Sequence, residues 1–72
     1  MIPTDWVDMD SGNIAAIKYN PASSELYVHF KSGKMYTYYN VPVDVAEGFA
    51  HAPSPTQFLN KNIKGVYEYN NE

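Results

Sequence analysis

Apolar and polar positions alternate from Glu25 to Lys31: Leu26, Val28 and Phe30 on one side, Tyr27, His29 and Lys31 on the other. Period two is the signature of a half-buried strand. After Ser32-Gly33 the pattern resumes as Met35-Tyr36-Thr37-Tyr38-Tyr39, residues that favour a pleated surface. The spacing predicts a hairpin over residues 25–40. A two-residue type I′ loop would force Ser32 to positive φ, which serine resists. A three-residue loop, Lys31-Ser32 in a type I turn and Gly33 in αL as a G1 bulge, avoids that strain. This register pairs Phe30 with Lys34, Val28 with Tyr36 and Leu26 with Tyr38. Leu26, Val28, Phe30, Tyr36 and Tyr38 then share one face; Tyr27, His29, Met35, Thr37 and Tyr39 share the other.

Ile14-Ala15-Ala16-Ile17-Lys18-Tyr19 reads as the first secure strand, after the turn residues Ser11-Gly12-Asn13. Asn20-Pro21 stops it, because proline lacks a ladder donor and restricts its predecessor. Asn20 to Ser24 makes the first hairpin connection, giving an antiparallel meander. Pro42 is expected at the first position of a helix whose inner face carries Val45 and Phe49 with Ala46 and Ala50 alongside. Ser54-Pro55-Thr56-Gln57 opens a second helix as a capping box, with Phe58, Leu59 and Ile63 as its apolar stripe and Gly65 past its end. Residues 1–10 form either a partly flexible lead or a short extra strand, with Trp6 as anchor. The Val66–Tyr69 stretch offers a short edge strand, and residues 70–72 a tail.

Composition narrows the class. Seventy-two residues, none of them cysteine, make one small domain without disulfides, expected over residues 11–69. The start lacks a secretory signal, and no apolar run approaches the ~20 residues that span a bilayer. The expectation is a cytoplasmic protein with no membrane partner. Five lysines, no arginine and eight carboxylates give a net charge of -3, without the basic excess usual for phosphate-backbone binders. The lysines near the end and the seven tyrosines still leave room for a local site.

The motifs Ser11-x-x-Ile14-x-x-Ile17-x-Tyr19, Leu26-x-Val28-x-Phe30-x-x-Gly33, Tyr36-x-Tyr38, Val41-Pro42 and Phe58-x-Asn60-x-x-Ile63 agree in order and spacing with one family. Across residues 11–69 the chain resembles the KTSC family, named for a domain at the C-terminus of some lysyl-tRNA synthetases and found also as stand-alone bacterial and phage proteins. The resemblance implies RNA binding. Two positions depart from the family pattern: Thr56 stands where glycine is expected, and Lys64 where arginine often appears, which removes the bidentate phosphate grip of a guanidinium.

Tyr36-x-Tyr38 is similar to the sheet-mounted rings that stack bases. In the bulged register, however, both rings share the face on which helices pack, so they are expected mostly in the core. Tyr27 and Tyr39, with His29, then make the opposite face the better place for stacking. Lys61 and Lys64, at i, i+3 near a helix end, either hold a phosphate or simply complement the macrodipole. Asn60 is expected as a buried amide tying the helix to the strand loops. Asp8-Met9-Asp10-Ser11-Gly12 starts like a calcium loop, but its glycine comes one position early and Tyr19 stands where the bidentate glutamate belongs. His29 and His51 lack partners at zinc-ligand spacing. No nucleophile elbow, Cys–His pair or phosphate-binding glycine loop appears, so neither an enzyme nor a cofactor or metal is expected.

The expected fold is α+β: a three-stranded antiparallel meander, with a fourth terminal strand as an option, and two short helices on one face. Leu26, Val28, Phe30, Tyr36, Val45, Phe49, Phe58 and Ile63 should dominate the core. The leading functional expectation is a non-catalytic RNA-binding module using Tyr27, Lys31, Tyr39, Asn60, Lys61 and Lys64. The alternatives are an adapter or inhibitor that binds a host protein, and a nucleotide or small-anion pocket, which a deep cleft between the second helix and the hairpin would favour.

Overall fold

Five strands hydrogen-bond in chain order in the computed structural model, which describes residues 4–71. Residues 1–3 of the expected lead and Glu72 of the expected tail lie outside the described residues. The strands are β1 (Val7–Ser11), β2 (Ile14–Asn20), β3 (Glu25–Phe30), β4 (Met35–Tyr38) and β5 (Tyr69–Asn71), each antiparallel to its neighbour. Helices α1 (Val43–Ala50) and α2 (Pro55–Phe58) lie between β4 and β5, and α2 runs on into a π-helical turn, Leu59–Ile63. The architecture is the expected α+β, but the sheet has five strands rather than three or four. The two additions are edges. β1 is specified by its pairing of Val7 with Ile17 and Asp8 with Ala16 rather than by an apolar pattern of its own. β5 starts at Tyr69, at the end of the stretch that offered an edge strand.

The central hairpin follows its predicted register. Leu26 pairs with Tyr38, Val28 with Tyr36 and His29 with Met35. The Phe30 amide donates to the Lys34 carbonyl at 2.9 Å and the Gly33 amide to the Phe30 carbonyl at 2.9 Å. Gly33 has φ of +96°, as the bulge demands. The Lys31 amide donates to the Asn13 carbonyl at 2.7 Å, pinning the β1–β2 turn beside the tip of the hairpin.

Pairing sorts the two sheet faces. Tyr19 and Ile17 lie opposite Leu26 and Val28, and all four are buried with Ile14, Tyr38, Val41, Ala46, Phe49, Leu59 and Ile63. Both helices therefore cover this face. Four residues expected to dominate the core, Phe30, Tyr36, Val45 and Phe58, only pack against it half-buried. The Phe30 and Tyr36 side chains border a groove at the hairpin end. Their place is taken by Ile14, Ile17 and Tyr19 of β2, by Val41 before α1 and by Leu59 of the π turn.

Helix ends differ in detail from expectation. Pro42 is the N-cap of α1, one residue before the first helical position. Ser54 caps α2 and Pro55 follows at N1, yet the Ser54 side chain makes no capping hydrogen bond, so the capping box is not closed. The Lys64 amide donates to the Leu59 carbonyl at 2.7 Å, five residues back, which defines the π turn. Such turns are rare and recur at functional sites.

Candidate functional site

The tip of the β3–β4 hairpin, the β1–β2 turn and the α2–π segment enclose a groove of about 360 Å³ on the helix-covered side of the sheet. Its aromatic wall is Phe30, Tyr36 and Tyr38; its lysines are Lys31, Lys34 and Lys64; Asn13, Ser32, Thr56 and Asn60 add neutral polar groups. The rings form a supported stack. Phe30 meets Tyr36 edge-on, with centroids 5.1 Å apart, and Tyr69 of β5 lies nearly parallel to Tyr36 at 5.3 Å. Tyr38 stacks behind at 6.2 Å. Burial pushes the Tyr38 hydroxyl pKa up to about 12, with the neighbouring Tyr36 and Tyr69 adding to the rise. The phenol is therefore neutral at ordinary pH, and the groove sets aromatic rings beside lysines and neutral polar groups.

The π turn decides which helical residues face the groove. Leu59 and Ile63 take the buried positions, and Asn60 lines the groove exposed rather than lying buried as a structural amide. Lys64 has extended backbone (φ -66°, ψ 124°) because the chain leaves the helix there. Residues three apart therefore do not act as a pair across the exit: Lys64 lines the groove and Lys61 does not. On the opposite wall Lys31 opens the turn and Lys34 follows it.

Thr56 reaches toward the β1–β2 turn, so close that a Cβ on Gly12 would sit 2.6 Å from its Oγ1. Threonine at position 56 is thus accommodated by glycine at position 12, whose φ is +53°. Thr56 and Asn13 both line the groove.

Of the other expected site residues, Lys61 is exposed on the π turn outside the groove, and Tyr27 lies on the opposite sheet face. Tyr27 donates its hydroxyl to Glu25 Oε1 at 2.7 Å. This hydrogen bond, reinforced by burial and the Glu25 charge, raises the Tyr27 pKa. The Lys18 Nζ lies 5.8 Å from the Tyr27 ring centroid and 6.0 Å from that of Trp6, and Trp6 meets His29 edge-on at 6.3 Å. Trp6 is thus the anchor the sequence suggested, although 42% exposed. Tyr39 is half-buried next to the β4 end, its amide bonded to the Glu68 carbonyl at 2.9 Å. The structure therefore gathers Lys31, Asn60 and Lys64 at the groove and leaves Tyr27, Tyr39 and Lys61 elsewhere. Lys34 went unnoticed in the sequence, where its only visible role was to pair with Phe30. The three-residue turn was the available clue, since it swings both flanking lysines to one end of the sheet.

Residues 10–67 match the KTSC domain. The chain belongs to the KTSC family. It is 41% identical over 56 residues to a lysine–tRNA ligase of Nostoc sp. (strain PCC 7120), covering 78% of this chain and 10% of the ligase. A 36% identical protein of Tsukamurella paurometabola is matched over 84% of its length. The crystal structure of a KTSC domain protein from Yersinia pestis superposes with a TM-score of 0.88 at 27% identity, covering 92% of this chain and 93% of that one. The family resemblance read from the sequence is thereby established, and the KTSC chain spans about a tenth of the ligases it matches. Among the described residues no helix is long and apolar enough to cross a membrane.

Proposed function

We propose that this KTSC chain is a non-catalytic binding module for single-stranded RNA, with the groove between the hairpin tip and the π turn as its site. The observation that carries the reading is the convergence of Lys31, Lys34 and Lys64 around the Phe30–Tyr36 wall. Rings that stack bases and cations that meet phosphates are the two components of single-strand recognition. The lysine–tRNA ligase relatives, whose name couples them to an RNA, add support. The negative net charge does not oppose it, because the lysines are concentrated: three of five line one cavity.

Isotope-labelled protein titrated with a single-stranded oligoribonucleotide at low salt tests the site by amide chemical shifts. Asn13, residues 31–34 and residues 60–64 should move together. Shifts confined to Tyr27, His29 and Thr37 would assign binding to the open sheet face instead.

A further inference from the structure

We infer that the groove holds one nucleotide bearing a terminal phosphate and does not track a continuous strand. The inference rests on the groove being the nucleic-acid site. Its first support is size. At about 360 Å³ the cavity sits near the small end of ligand pockets, room for one base with its sugar and phosphate. Proteins that follow a strand present a charged channel several nucleotides long.

The second support is that the positive charge ends along the hairpin, with Lys61 extending it only on the π turn. Lys31 and Lys34 flank the hairpin tip and Lys64 closes the other side of the cavity. Lys18 is spent on the far sheet face between Trp6 and Tyr27. The opposite end of the hairpin is acidic: Glu25 begins β3, Glu68 lies beside Tyr39, and Asp44 and Glu47 sit on exposed positions of α1. A strand leaving the groove along β4 would meet carboxylates instead of cations.

The third support is charge matching. A terminal phosphomonoester carries about -1.5 to -2 charges near neutral pH, whereas an internal diester carries one. Three ammonium groups on one nucleotide-sized cavity suit the former. The same chemistry belongs to a free mononucleotide and to a phosphorylated RNA end, and a length series separates them.

The test is a calorimetric titration with mononucleotides and with oligoribonucleotides of three and eight residues, each carrying a 5′-phosphate, a 3′-phosphate or neither. The trimer and octamer with the preferred end phosphate should bind within about threefold of each other, and loss of that phosphate should weaken both by about tenfold or more. A mononucleotide that matches the trimer identifies free nucleotide as sufficient; one much weaker identifies the RNA terminus. Lys34→Gln, at an exposed position just past the turn, should abolish the preference for an end phosphate while leaving the melting temperature unchanged. Affinity that climbs steadily with length and ignores the end phosphate overturns the inference but leaves RNA binding standing. Absence of binding by every probe removes both.

Discussion

The Tyr19 hydroxyl donates a 2.6 Å hydrogen bond to the carbonyl oxygen of Val41, joining β2 to the segment that leads into α1. Tyr19 is buried and Val41 fully so. The bond therefore carries the helical layer onto the sheet at a point where no water competes. Tyr19→Phe keeps the ring and removes the donor. It should lower stability by about 1–3 kcal/mol, read from the urea midpoint, through the carbonyl it leaves without that partner. A neutral result would mean that the carbonyl finds another donor at once.

Gly33 and Gly12 make a paired backbone test. At Gly33 an added Cβ meets nothing within 4 Å, so Gly33→Ala should cost only the αL strain, about 1 kcal/mol. Gly12→Ala adds a collision with Thr56 and should cost clearly more. Combining it with Thr56→Gly should recover the excess but not the strain, which thermal or urea unfolding of the four proteins can resolve.

Burial ranks the phenylalanines. Phe49 has no exposed surface, so Phe49→Ala should cost about 3–5 kcal/mol and unfold much of the protein. Phe30 is half-buried at the groove, and its alanine variant should lose roughly half as much. Equal losses would place Phe30 in the true core.

Alkaline titration reports the tyrosine stack. The folded state holds Tyr38 protonated to about pH 12, while the unfolded chain releases the proton near 10.0. The unfolded state binds fewer protons in that window, so the Tyr38 contribution is complete below pH 10 and disappears as pH rises toward 12. Tyrosinate absorbance should show a group titrating toward pH 12, and Tyr38→Phe should remove it.

The hairpin was legible because turn chemistry and alternation agreed: Gly33 placed the bulge, and the bulge sorted Leu26, Val28 and Tyr38 onto one face. The edge strands were legible only as options. β1 reads Val-Asp-Met-Asp-Ser and β5 Tyr-Asn-Asn, sequences whose strand character comes from a neighbour rather than from propensity. The π turn was hidden, since Leu59 and Ile63 are spaced as on an ordinary helix while the Lys64 amide bonds five residues back. The groove draws on Asn13, the hairpin tip, Thr56 and the π turn. Its residues are far apart in the chain, so only Lys31, Asn60 and Lys64 stood out, and the second helix and hairpin could be named as flanks without Lys34.

The direct test of groove binding is a salt series of single-strand RNA titrations on the wild type, Lys34→Glu, Lys64→Glu and Lys61→Glu. Wild-type affinity should fall with salt. Lys34→Glu and Lys64→Glu should each weaken binding and flatten the slope of log K against log salt by roughly 0.7, the share of one single-strand phosphate contact. Lys61→Glu, on the same turn but outside the groove, should leave the slope nearly unchanged. If the wild type has no affinity at low salt, or if Lys61→Glu flattens the slope as much as Lys34→Glu does, the groove is not the RNA site.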